Sequence, residues 1–235
     1  MAGIVNKTNF ETYNKMYESM DAEHNYPNTN LVRLEKWFFK GKKGFTLDHG
    51  CGYGENSIFL ANLGYKLISS DISKNLLKNI KNKINKKCAN PNLIQLDYIK
   101  KDDKKLNYPD SFFDYIVSLG VLEMLGERTS AKKLIDEFYR CLKPGGKMIV
   151  STIAMKNTFV KSAKKIRNET FQFVGLEKHK RKIKIDWNLY IPSNKKSFAN
   201  IFNKKLNKSI EIGSWDNDYC GIEGKHLVAL VEKLK

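Results

Sequence analysis

The sequence predicts an α/β protein: a doubly wound, mostly parallel sheet with helices on both faces, a three-layer αβα arrangement. Three observations carry that prediction. Two short apolar runs end in acids, Asp48 and Asp71, with one helical stretch between them. Gly50, Gly52 and Gly54 stand at alternate positions directly after the first run, where a strand must turn sharply into a helix. Beyond Asp71, strand-like and helix-like patterns go on alternating, the order that builds βαβ units.

Ahead of the first strand, Phe10, Tyr13, Met16, Tyr17 and Met20 recur at helical spacing. After Pro27 a second stripe follows, made of Leu31, Leu34, Trp37 and Phe38. These predict an N-terminal helix pair over residues 1–40, with the main domain over 41–235. Ile58, Phe59, Ala61 and Leu63 mark the helix after the glycines, and 65–71 is the next strand. Ser73 is placed to cap a helix whose buried stripe is Leu76, Leu77, Ile80 and Ile84 and whose lysines are its wet face. A third strand over 92–97 ends at Asp97 and Tyr98, and a fourth covers 113–118. Leu134, Ile135, Phe138 and Leu142 share one face of a helix over 129–142, with Ser130 as its cap. Lys143-Pro144-Gly145-Gly146 reads as the turn that stops it before a fifth strand at 147–152. From 153 to 192 the pattern weakens into a loop-plus-helix insertion rich in aromatics, a wall for a substrate pocket. A last helix over 193–206 and two strands at 209–213 and 226–231 complete the chain.

The unit spanning 45–71 reads as a nucleoside-binding crevice. Glycines let bare backbone approach a ligand, and Asp71 at a strand's carboxyl end can accept hydrogen bonds from both hydroxyls of a ribose. The dinucleotide fingerprint wants a glycine at the sixth position counted from Gly50; Glu55 stands there, a carboxylate that repels a pyrophosphate and tolerates a cation. Asp48-x-Gly50-x-Gly52-x-Gly54 resembles motif I of the class I S-adenosylmethionine-dependent methyltransferases of the small-molecule type. The segment 113–123 resembles that family's motif IV, and Leu142-Lys143-Pro144-Gly145-Gly146-Lys147 its post-motif turn, so the specific likeness covers roughly 45–152.

That resemblance implies a seven-stranded sheet whose last strand is antiparallel. It implies S-adenosyl-L-methionine as cofactor and S-adenosyl-L-homocysteine as product. The residues it assigns to the cofactor are Asp48, Gly50, Cys51, Gly52 and Gly54 of the loop, with Asp71 and Ile72 at the ribose. It adds Asp97 and Tyr98 at the adenine, Ser118, Leu119 and Gly120 below it, and Tyr13 and Tyr17 from an N-terminal lid. Relatives often carry a His after the Glu of motif IV; here Met124 stands there, which removes a ready-made base. A short stretch near 25–35 is similar to methyltransferases encoded among bacterial surface-polysaccharide genes.

The net charge is +17, but only five of the 42 basic residues are arginine. Arg supplies the bidentate and stacking contacts that nucleic-acid readers favour, so the lysine excess argues weakly for nucleic acid. No run reaches membrane-span length, the N-terminus lacks a signal peptide's apolar centre, and the four cysteines form no C-x-x-C pair. Cytoplasm is the expected compartment, monomer or homodimer the expected state, and no metal site is expected. Methyl transfer to an amine needs no base, whereas a hydroxyl acceptor needs its proton taken by His or a carboxylate. The candidates for that role are Glu123, His179 and Asp216. The leading reading is methyl transfer to a small polar metabolite or a nucleotide- or sugar-linked precursor. Competing readings are an RNA-modifying methyltransferase, a non-catalytic cofactor-binding protein and a dinucleotide-dependent oxidoreductase.

Overall fold

The computed structural model describes residues 7–19, 26–100, 103, 105–176, 184–217 and 223–235. Helices α1 (Lys7–Ser19) and α2 (Thr29–Leu34) come first, and α2 runs on into a wider π-type turn, Glu35–Phe39. The alternating core follows: β1 (Phe45–His49), α3 (Glu55–Asn62), β2 (Lys66–Asp71), α4 (Lys74–Lys87), β3 (Ile94–Tyr98), β4 (Phe113–Ser118), α5 (Arg128–Cys141) and β5 (Leu142–Asn157). The rest comprises α6 (Thr158–Lys161), β6 (Lys164–Arg167), β7 (Thr170–Leu176), β8 (Lys184–Tyr190), α7 (Lys195–Ala199), β9 (Asn207–Trp215) and β10 (Gly224–Lys233).

Seven strands form one sheet in the order β3-β2-β1-β4-β5-β10-β9. The first five run parallel, and β10, the last strand of the chain, is antiparallel to both β5 and β9. Side chains that alternate along the buried strands feed two cores, one on each face. Leu47, Ile116, Met148 and Val150 pack with Leu134, Ile135 and Phe138 of α5 and Phe198 of α7. Leu67, Val117 and Ile149 pack with Leu31 of α2, Leu60 and Ala61 of α3, and Leu76, Ile80 and Ile84 of α4. This is the three-layer fold the alternation predicts. Ser73 caps α4 by accepting from Leu76 N at 3.4 Å.

Four local expectations are corrected. Residues 153–192 carry a three-stranded antiparallel sheet, β6-β7-β8, with only the short α6. Phe171 and Phe173 on β7 and Ile185, Trp187 and Leu189 on β8 alternate at the strand period, a signal diluted in sequence by the lysines around it. The helix expected over 193–206 is confined to α7, with a single 3₁₀ turn at Lys204–Leu206. Ser130 does not cap α5: Glu127 holds that place, without a side-chain bond. The Pro-Gly-Gly stretch is a bulge inside β5, where the pairing with β4 slips between Phe113 and Tyr115.

Candidate active site

A cavity of about 280 Å³ opens at the carboxyl end of the parallel strands, where the order reverses between β1 and β4. Its floor comes from His49, Gly50 and Gly52 after β1, from Asp71 and Ile72 after β2, and from Ile99 after β3. Leu119, Gly120 and Val121 after β4, with Met124 and Leu125 of the following 3₁₀ turn, make one wall. Asn9 and Tyr13 of α1 and Trp187 of β8 close it from above.

The glycine loop is held by its own backbone. Gly50 N and Cys51 N donate to Ser70 O at 2.8 and 3.0 Å, Gly54 N donates to Cys51 O at 2.9 Å, and Gly52 N donates to Asp71 Oδ2 at 3.0 Å. All three glycines have positive φ, but they do different work. A Cβ on Gly50 would lie 2.3 Å from Val121 Cγ2, and one on Gly54 2.8 Å from Ile80 Cγ2. A Cβ on Gly52 would meet nothing within 4 Å. Gly50 and Gly54 thus let neighbouring elements pack close, while Gly52 presents bare backbone to the cavity.

Asp71 is 1% exposed and holds the loop to the start of α4: Oδ2 takes Gly52 N and Oδ1 takes Ser73 N at 2.9 Å. Burial pushes its carboxyl up to about 6, against the pull of the Ser73, Gly52 and Ile72 amides. Asp48 lies outside the cavity lining. It accepts from Ser57 Oγ at 2.5 Å, with Ser69 behind, and burial raises it to about 6. Asp48 therefore braces the base of the loop from inside.

Among the described residues no Lys or Arg lines the cavity, and Asp71 is the one carboxylate there. Burial depresses the His49 imidazole to about 4, so it is neutral at pH 7. A cavity of this charge suits a cation and offers a phosphate no partner, particularly as four loop amides are already engaged. The phosphate exclusion assigned to Glu55 is corrected here. Glu55 is turned away onto Lys83 of α4 in a closely paired, largely buried ion pair and does not line the cavity. An adenosyl sulfonium fits this donor set: Asp71 would hold the ribose, Ile72, Ile99 and Leu119 the flat base, and Gly52 the tail.

Of the residues assigned to the cofactor, Tyr13, Gly50, Gly52, Asp71, Ile72, Leu119 and Gly120 line the cavity, and Asp48, Cys51, Gly54, Asp97, Tyr98 and Ser118 do not. Asp97 accepts from Tyr108 Oη at 2.7 Å, and the Tyr98 ring lies 4.8 Å from Lys74 Nζ. Ser118 is fully buried beneath the site. The side chain of Tyr17 and the whole of His179 lie outside the described residues. Glu123 is 7% exposed, directly behind Gly120, whose Cβ position would lie 3.6 Å from Glu123 Oε1. Burial lifts its carboxyl to about 7, opposed by its own amide, the nearby Thr152 hydroxyl and the Ile153 amide. Asp216 is exposed on the loop after β9 and pairs with Lys225 at 3.3 Å. Asn9, His49, Ile99, Val121 and Leu125 are lining residues that periodicity alone did not reveal.

Asn9 is the hinge of the upper wall. It is 2% exposed, donates to Met124 O at 2.5 Å and Asn188 O at 2.6 Å, and accepts from Asn188 N at 2.8 Å. Thr12 Oγ1 adds a bond to Asp186 O at 3.2 Å. One polar side chain thereby ties α1, β8 and the turn after β4 together over the cavity.

A family profile described as a methyltransferase domain matches residues 47–150. An uncharacterised protein of Methanocaldococcus jannaschii is 32% identical over 153 residues, 65% of this chain and 58% of its own. Phosphoethanolamine N-methyltransferase 3 of Arabidopsis thaliana is 30% identical over 107 residues, 45% of this chain and 20% of its own. The chain therefore spans well under two thirds of the length of these relatives. The N-methyltransferase NodS of Bradyrhizobium japonicum WM9, in complex with S-adenosyl-L-homocysteine, shares the fold with a TM-score of 0.64 at 14% identity, over 97% of this chain and 100% of that one. Residues 47–150 thus match a methyltransferase domain, and the sheet order around them is the Rossmann-like fold found in S-adenosyl-L-methionine-dependent methyltransferases of known structure.

Proposed function

We propose that this chain transfers the methyl group of S-adenosyl-L-methionine to the nitrogen of a small amine with an apolar body. The observation that carries this reading is that the described residues lining the cavity include no free base. Asp71 is committed to the Gly52 and Ser73 amides, His49 is neutral with a depressed pKa, and among the described residues no other carboxylate or imidazole lines the space. Bound there, the donor supplies an electrophilic methyl on a positive sulfur. A neutral amine would attack the methyl carbon, its N–C bond forming as the donor's S–C bond breaks, with the electron pair left on sulfur. The proton shed by the resulting ammonium goes to solvent, so no protein base is required.

The chain's own work is positioning and exclusion of water. Tyr13, Val121, Met124, Leu125 and Trp187 give the acceptor an apolar surround, with α1 acting as a lid held by Asn9.

Calorimetry of the full chain is expected to show S-adenosyl-L-homocysteine binding at one site while NAD and ATP release no heat. With labelled donor, a panel of small amines is expected to be methylated and the matching alcohols not. Turnover of the alcohols alone would sink the amine assignment, and heat from NAD in place of the homocysteine product would sink the methyltransferase reading itself.

A further inference from the structure

The opposite end of the sheet holds a second cleft, of about 400 Å³, where the parallel strands begin. Lys40 and Lys42 reach it from the turn after α2, Lys143 and Lys147 from the bulge in β5, Lys208 from β9 and Lys235 from beyond β10. The carboxylates present are Asp114 and Glu232, so six lysines against two acids leave four positive charges in one small space. Both acids are already engaged, Asp114 by Lys143 at 2.8 Å and Glu232 by Lys208 at 2.9 Å and Lys147 at 3.8 Å. Among the described residues Lys40, Lys42 and Lys235 have no ion-pair partner.

The crowding is felt inside the cleft. The Lys147 ammonium is held below its ordinary range, by burial first; Glu232 pulls it back up, and Lys40, Lys42 and Lys208 push it down again. Like charges gathered at such cost mark a place where a multivalent anion would be stabilised. The glycines of the bulge add room. Gly145 has φ +75°, and the stem of Lys235 lies across it, 3.4 Å from where a Cβ would sit.

We propose that this cleft binds a compact oligophosphate, a small ligand carrying two or more linked phosphates. The lysines converge from four separate segments on one pocket and do not form a stripe, and among the described residues no arginine lines it. That geometry matches point-charge capture of a small polyanion better than tracking along a nucleic-acid backbone. The site is independent of the methyl-transfer cavity, which lies across the sheet, and it gives a use to a lysine excess that cavity does not touch.

The test is calorimetry of the full chain with inorganic triphosphate, orthophosphate and a structured RNA, at low and at physiological salt. Triphosphate is expected to bind at one site, and Lys40→Glu/Lys42→Glu to weaken it by about tenfold or more. Both lysines are exposed and unpaired, so that variant keeps its fold; an unchanged affinity for S-adenosyl-L-homocysteine checks this. Lys78→Glu/Lys81→Glu on the wet face of α4 makes the same change in net charge elsewhere and is expected to leave triphosphate binding intact. Equal losses in both double variants would overturn the proposal in favour of general charge attraction. Orthophosphate binding as tightly as triphosphate would reduce it to an adventitious ion only. RNA retention that depends on Lys40 and Lys42, with no heat from triphosphate, would assign the cleft to nucleic acid.

Discussion

Gly52 is where one missing side chain leaves backbone bare to the cavity. It sits at φ +54° with open cavity in front of it, so an added methyl costs backbone strain and also occupies ligand space. Gly64 makes a natural control: its φ is +94°, nothing lies within 4 Å of a Cβ there, and it does not line the cavity. Gly52→Ala and Gly64→Ala are each expected to lose about 1 kcal/mol of stability from the left-handed backbone alone. Only the first should weaken S-adenosyl-L-homocysteine binding, by about tenfold or more, since the cofactor tail loses its close approach. Denaturant melts and calorimetry on the pair separate the two effects.

Glu55 is expected to behave unlike its reading from sequence. Its carboxylate neutralises Lys83 and fronts no ligand, so Glu55→Gln should not admit ATP or NAD. Lys83→Met should destabilise the fold by about 3 kcal/mol, because it strands a largely buried charge at the start of α3. Nucleotide titration of the first variant and a urea melt of the second check the two halves. ATP binding gained by Glu55→Gln would restore the role read from the glycine spacing.

Among elements, the clasp between α1, β8 and the turn after β4 decides whether the cavity has a roof. Removing Asn9 leaves Met124 O and both polar groups of Asn188 without that partner in a buried setting, at a cost of about 2–3 kcal/mol concentrated in the clasp. Asn9→Ala is expected to speed hydrogen exchange across α1 while β1, β4 and β5 stay protected. The acceptor's KM should rise more than the cofactor's Kd, because the floor proposed to hold the cofactor is intact. Unchanged exchange in α1 would show that its remaining contacts suffice. The accessory sheet teaches a related lesson: β6-β7-β8 is no decoration, since Trp187 reaches back from it to complete the site.

At the scale of the whole molecule, three buried carboxylates among the described residues tie stability to pH. Burial raises Asp48 and Asp71 to about 6 and Glu123 to about 7. In the unfolded chain such groups titrate near 4, so between roughly pH 4 and 7 the folded state keeps protons that the unfolded state has released. Stability contributed by these groups is therefore full at the acid end and lost as pH rises through that window. Buried His49, depressed to about 4, acts in the opposite direction over part of the same range. Glu123→Gln isolates one contribution: the fall in Tm from pH 5 to 7 should become shallower, with a gain on the order of 3 kcal/mol at pH 8. The same variant tests the base. Turnover on an amine should survive within about threefold, whereas a general base would cost 10²-fold or more.

What the sequence determined by itself was whatever rests on periodicity and on backbone permission. Alternating apolar runs, the Ser73 cap and the glycine spacing specify a doubly wound sheet with a bare-backbone turn after β1, and Asp71 at the end of β2 follows from that turn. The tertiary structure alone decided which charges meet. Glu55 lies in sequence beside the cofactor loop yet faces Lys83, Asn9 lies far from Asn188 yet completes its hydrogen bonds, and lysines from four segments gather in one cleft. Each of those outcomes depends on contacts between residues remote in the chain, where a side chain's partner is set by how layers pack and by what burial makes costly to leave unpaired.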